Sequence, residues 1–164
     1  MEIPGLGTVV ENEYESLVSA PIPVPVLGVA LPFHLDGYTD DPAPDDFHAA
    51  IRAFLALDGT ALEAAAPGVF DYYRHMGEVF GDELDDFPRI AGPAEVWNDV
   101  SFAGHEVTVQ RDHGGGSVYI SLEAECEWEV EHGLQVVLRD GARVTKVGPY
   151  DGHLTNDSDV LYER

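Results

Sequence analysis

Residues 118–131 read VYISLEAECEWEVE, with glutamate at 123, 125, 127, 129 and 131. Ala124, Cys126, Trp128 and Val130 fill the gaps. A strand sends alternate side chains to opposite faces, whereas a helix of 3.6 residues per turn would scatter these acids around its axis. The spacing therefore predicts a strand with two unlike faces. One face carries Val118, Ile120, Leu122, Ala124, Cys126, Trp128 and Val130 toward a core. The other is a solvated row of carboxylates.

The segment that follows extends this reading. Glu131-His132-Gly133 suits a three-residue hairpin loop, with glycine in the left-handed position. That loop pairs Val130 with Leu134, Trp128 with Val136 and Cys126 with Leu138. On the other face it pairs Glu129 with Gln135, Glu127 with Val137 and Glu125 with Arg139. A slip of one residue would set glutamates against Leu134 and Val136. Asp140-Gly141 then predicts a tight turn into a strand through Val144 and Val147. This brings Lys146 near Gln135 and Glu129, but sets Arg143 beside Leu138. Arg139 and Lys146 would partly neutralise the carboxylate row. Upstream, Val107 and Val109 mark another strand, and His113 to Gly116 a flexible turn.

The middle of the chain changes period. Pro44-Asp45-Asp46 opens a helix, with proline at its start and acids in its first turn. Phe47, Ala50, Ile51, Phe54 and Leu55 then recur at helical spacing, and Asp58-Gly59 ends the run. Thr60 and Glu63 have the spacing of a capping box. Pro67-Gly68 should break or restart that second helix, after which Val69, Phe70, Tyr73 and Met76 form a stripe. An acidic loop follows over 81–88, and Pro93 begins a short third helix. At the N-terminal end, Gly5 to Val10 reads as a strand. Residues 21–26 alternate proline with branched residues and read as an edge strand, because proline cannot donate to a ladder. Val29 to Asp36 reads as a strand with Leu31, Phe33 and Leu35 on one side.

These elements predict an α+β fold: a mainly antiparallel sheet with two or three helices inserted between an N-terminal strand group and a C-terminal β-meander. The expected limits are strands over about 5–36, helices over about 44–100 and the meander over about 102–150, in a single domain spanning 1–164. The 164 residues are 45% hydrophobic, enough to build a core and to argue against disorder. A single cysteine, Cys126, excludes an internal disulfide and fits a reducing compartment. No signal peptide or membrane-length apolar run is visible, so the expected location is cytoplasmic.

The formal net charge is −23, from 31 acids against eight lysines and arginines. Such a chain repels nucleic acid and anionic membranes and attracts cations and basic proteins. The acids are spread along the chain rather than gathered in a tail, which also suits a plain solubility role. The glutamate row has spacing for paired carboxylates or a hard cation, against a solvated face that resists edge-to-edge pairing. Seven histidines include no His-Glu-x-x-His and no zinc-finger spacing. His132 and His153 each adjoin glycine and acids, and their turns would meet if the meander folds back. Cys126, on the apolar face, reads as a buried inert thiol. Among the aromatics, Tyr150 has the best claim to exposure.

The stretch Val118 to Asn156, above all Trp128 to Gln135 (WEVEHGLQ) and Tyr150 to Thr155 (YDGHLT), resembles a bacterial family of small acidic proteins of unknown function. EIPGLGTV, PIPVPV, HLDGY and DFHAAIRAFL extend the likeness over nearly the whole chain. The resemblance implies one bacterial cytoplasmic domain and brings no catalytic residue, cofactor or substrate with it. Relatives often carry a second cysteine where this chain has Ala124, which argues against a paired-thiol metal site.

Three functions remain open. The first is a non-catalytic binding module for a basic protein partner, immunity- or inhibitor-like, using Glu125, Glu127, Glu129, Glu131, His132, Tyr150, Asp151 and His153. The second is a metal-assisted hydrolase built on His132, His153 and nearby acids, which requires Glu131, His132, Asp151 and His153 to converge. The third is an accessory structural domain. No catalytic residue, cofactor or resident metal is expected, and the oligomeric state is left open.

Overall fold

Apolar alternation in the C-terminal half becomes an antiparallel run of strands. In the computed structural model, which describes residues 1–114 and 116–164, that run is β8 (Val107–Arg111), β9 (Val118–Cys126), β10 (Leu134–Arg139) and β11 (Arg143–Gly148). Upstream lie β1 (Glu2–Ile3), β2 (Gly7–Glu11), β3 (Leu17–Ser19), β4 (Ile22–Val24), β5 (Val29–Leu31) and β6 (Phe33–Asp36). Between the two groups come α1 (Pro44–Leu55), α2 (Thr60–Phe80), a 3₁₀ helix (Pro93–Asp99) and the short strand β7 (Val100–Ser101). The sheet order is β1-β2-β3-β6-β8-β9-β10-β11, with β7 paired to β9 and β4-β5 a separate hairpin. All pairings are antiparallel except β6 with β8, which run parallel and are joined through the helical segment. The fold is α+β, as the periodicities predict. Of the expected 113–116 turn, Gly115 lies outside the described residues.

The strand predicted over 29–36 divides at Pro32. Leu31 belongs to the β4-β5 hairpin and Phe33 to the main sheet. Proline has no N–H to give a ladder, but its carbonyl accepts from Val107 N–H at 2.9 Å. Leu31, Phe33 and Leu35 are all buried, as their alternation requires.

One face of the sheet carries the helices. Phe47, Ala50, Ile51 and Phe54 of α1 are buried together with Val107, Val109, Ile120, Leu122, Leu134 and Val136. The second helix departs from its sequence reading. α2 runs unbroken through Pro67, and Gly68 serves packing rather than a break. A Cβ at Gly68 would stand 2.7 Å from Val147 Cγ2 and 2.8 Å from Leu161 Cβ. The glycine thus lets the helix lie close against β11, and that contact compensates the hydrogen bond proline cannot make. The Thr60–Glu63 capping box also does not form. Thr60 is already inside the helix, and Asp58 Oδ1 accepts its N–H at 2.9 Å.

The C-terminal hairpin keeps its predicted faces and changes its register. Leu134 pairs with Ala124, not Val130; Val136 pairs with Leu122, and Leu138 with Ile120. Likewise Gln135 meets Glu123, Val137 meets Ser121 and Arg139 meets Tyr119. The displacement is an even number of residues, so apolar side chains still meet apolar ones. Alternation specifies face parity and is blind to even slips. A β-bulge between Val137 and Leu138 removes the conflict at Arg143: Leu138 faces Val144, and Arg143 faces Arg139.

Candidate acidic cleft

The glutamate row is straight only to Cys126, where β9 ends. Residues 127–133 form a turn that carries Trp128 into the core. Its indole packs edge-on to Tyr72 and Tyr73, each at 5.9 Å between ring centres. Tyr72 is fully buried and donates its hydroxyl proton to Gly133 O at 3.0 Å. Burial, then the neighbouring Cys126 and Glu129, push the Tyr72 hydroxyl pKa up. Gly133 has φ +65°, and a Cβ there would meet Ala124 O at 2.4 Å. Left-handed backbone and close approach to β9 both demand glycine at this point. Val130 does not extend the apolar face; the turn leaves it 85% exposed.

The predicted site residues separate into three groups. Glu129 folds back as the cap of its own turn. Its carboxylate accepts the Glu131 N–H at 3.0 Å and the His132 N–H at 2.9 Å, and lies 2.8 Å from His132 Nδ1. Glu129, Glu131 and His132 offer ligand atoms within 4.8 Å of one another, a group that does not include Asp151 or His153.

The second group is the 150–154 segment, which crosses the sheet face opposite the helices. The two Gly-His turns do touch there, since Tyr150 N–H donates to His132 O at 3.3 Å. Lys146 is buried and donates to Asp151 Oδ1 at 2.5 Å, Gln135 Oε1 at 3.2 Å and His153 O at 3.1 Å. Gln135 Nε2 donates to Ser121 Oγ at 2.9 Å and His153 O at 3.1 Å. Leu154 closes the patch over Tyr119 and Val137. Burial alone would push the Asp151 carboxyl up; the hydrogen bonds from Lys146 and His153 N–H more than offset it and hold it below the usual range. Lys146 therefore neutralises Asp151, not the glutamate row. Arg139 turns away as well, donating to Ser117 Oγ at 2.9 Å.

The third group, Glu125 and Glu127, is left in an open cleft of about 440 Å³ where β7 runs beside the end of β9. Asp99, Ser101, Cys126 and Val130 complete much of its wall, and no lysine or arginine lines it. Glu127 N–H donates to Asp99 O at 3.1 Å, tying the turn to the end of the 3₁₀ helix. The hydrogen bond and the repulsion between the Glu127 and Asp99 side chains push the Glu127 pKa up. The two carboxyls repel each other, and a cation placed between them would relieve that repulsion. Burial pushes the Cys126 thiol up to about 12, so the sulfur in this wall is an inert thiol at neutral pH. Asp99 gave no sign in the sequence, because only the long-range β7–β9 pairing brings it to Glu127.

The class these features define is an α+β domain whose polar sheet face is half covered by its own C-terminal segment and half left acidic and open. Residues 5–154 match a family described as a domain of unknown function (DUF6985), and the chain belongs to that family. No curated protein and no solved structure matches the chain. Among the described residues, no single helix is long and apolar enough to cross a membrane.

Proposed function

We propose that the chain is a non-catalytic binding module of the bacterial cytoplasm that captures a basic protein partner in the Asp99–Glu127 cleft, in the manner of an immunity or inhibitor protein. The observation that carries the reading is the contacting carboxyl pair, with Glu125 alongside and no basic residue in the wall. A lysine or arginine head from a partner relieves that repulsion and gains charge-assisted hydrogen bonds. Exposed Val130 supplies an apolar contact at the rim. The surrounding negative potential speeds encounter with a cationic surface and makes it salt-dependent.

The test is an NMR titration with an arginine-rich peptide. Saturable shifts centred on residues 99–101 and 125–130, weakened at least tenfold in Asp99→Asn/Glu127→Gln, support the module. Small shifts spread evenly over the acids of the whole surface would leave only non-specific attraction and favour an accessory structural role. A metal-assisted hydrolase is the second reading; Asp151 and His153 do not join its expected ligand group, which leaves it resting on Glu129, Glu131 and His132. It requires stoichiometric zinc or manganese uptake that His132→Ala abolishes, and calorimetry without such uptake removes it.

A further inference from the structure

At the far end of the same sheet lies a second cavity of opposite character. Arg139 and Arg143 are direct cross-strand partners at the β10–β11 turn. Side chains so placed start about 5 Å apart, and like charges there repel. The chain has only eight lysines and arginines against 31 acids, so two arginines set face to face need a cause. Both line a cavity of about 380 Å³ together with Thr145, Thr155, Asn156 and Asp159. The Arg143 side chain has no hydrogen-bond or ion-pair partner among the described residues. Arg139 spends one N–H on Ser117 Oγ and stands 3.9 Å from Asp140. Thr145 Oγ1 is sealed from solvent without a partner, so it lies behind the wall rather than in the cavity.

The wall is built rather than loose. Asn156 Nδ2 donates to the carbonyls of Val160 at 2.9 Å and Leu161 at 3.0 Å, which fixes the loop that closes the cavity. Val147 N–H donates to Leu161 O at 2.8 Å and anchors that loop to β11.

We infer that this cavity is a binding site for a small oxyanion, a phosphate monoester or a carboxylate. Two guanidinium forks suit planar, bidentate recognition of such groups, and exposed Thr155 adds a hydroxyl donor. The volume lies at the small-metabolite end of ligand pockets. The net charge of the chain opposes anion entry at long range. Screening confines that opposition to about 8 Å at physiological salt, so the local arginine pair governs the bound state. Asp159 is the acid in the lining and acts against the ligand.

The test is titration of the intact chain with inorganic phosphate and, separately, acetate, at constant ionic strength against chloride. NMR would follow the Arg139 and Arg143 Nε–H and the Thr145 amide. Saturable shifts at these groups are expected, with affinity weakened at least tenfold in Arg143→Ala and strengthened several-fold in Asp159→Asn. Arg143 and Asp159 are exposed, so both variants should fold. Saturation by phosphate alone assigns a phosphoryl ligand, and saturation by acetate a carboxylate. Shifts that match chloride, or that persist unchanged in Arg143→Ala, overturn the site.

Discussion

Lys146 and Glu127 belong to the same C-terminal half of the chain, yet their charges meet opposite fates. Around Lys146 the polar sheet face is roofed by residues 150–154, and every charge beneath the roof is matched to a partner. Around Glu127 there is no roof, and a carboxyl stands against another carboxyl without a neutralising group. A matched, covered charge fixes structure, because separating it would strand a buried ion. An unmatched, open charge works slightly against the fold and is free to meet a ligand. The difference teaches where to look for function in a chain so uniformly acidic: at acids left uncompensated beside others that are compensated.

Gly133 joins the two halves, and its replacement is the harshest way to erase their difference. Gly133→Ala forces a side chain into Ala124 O on left-handed backbone. A loss of about 3 kcal/mol or more in urea unfolding is expected, from strain that backbone cannot relax. Next comes the roof itself. Lys146→Met should cost about 2 kcal/mol, less than the 3–5 kcal/mol of a wholly buried pair because Asp151 is half exposed. Amide exchange at His153 and Leu154 should accelerate in this variant more than exchange in α1. Uniform acceleration would mean that the roof and the core are one cooperative unit.

Acid titration sharpens the comparison, because the halves have opposite signs. The folded Asp151 carboxyl lies below its unfolded value, so its contribution is present above about pH 4 and is lost as pH falls through the folded value. Glu127 is raised in the folded state, so its contribution is favourable in acid and is lost as pH rises through its unfolded and then its folded value. Glu127→Gln should therefore raise the melting temperature slightly at pH 7 and have no effect at pH 3. Asp151→Asn should lower it at pH 7, with the difference shrinking as pH falls below about 4 through the folded Asp151 value. Equal responses from both variants would contradict the division. This is the smallest of the expected effects, and differential scanning calorimetry across pH measures it.

Much of the fold was legible because alternation and helical period are local. The α1 stripe, the β8 and β9 strands, the Gly133 turn residue and the burial of Leu31, Phe33 and Leu35 all follow from spacing. The errors also share a cause. Pro67-Gly68 reads as a break until Val147 and Leu161 are seen against Gly68. The hairpin register slips by an even step because parity is all that alternation encodes. Of the candidate site, Glu125 and Glu127 were visible as part of a row, but Asp99 was not. The fates of Glu129 and Asp151 were also hidden, since each is decided by a turn or a roof that folds onto it.

The amino-acid order by itself determined a two-faced ribbon, the helices that cover its apolar side and a strongly anionic surface, because side-chain period and charge are properties of adjacent residues. Only the tertiary structure decided which carboxylates are bound by their own chain and which are left open. That choice depends on Lys146, Gln135 and residues 150–154 coming together across the sheet, and on β7 bringing Asp99 to Glu127. Those meetings are fixed by chain closure over long sequence distances, which no local pattern records.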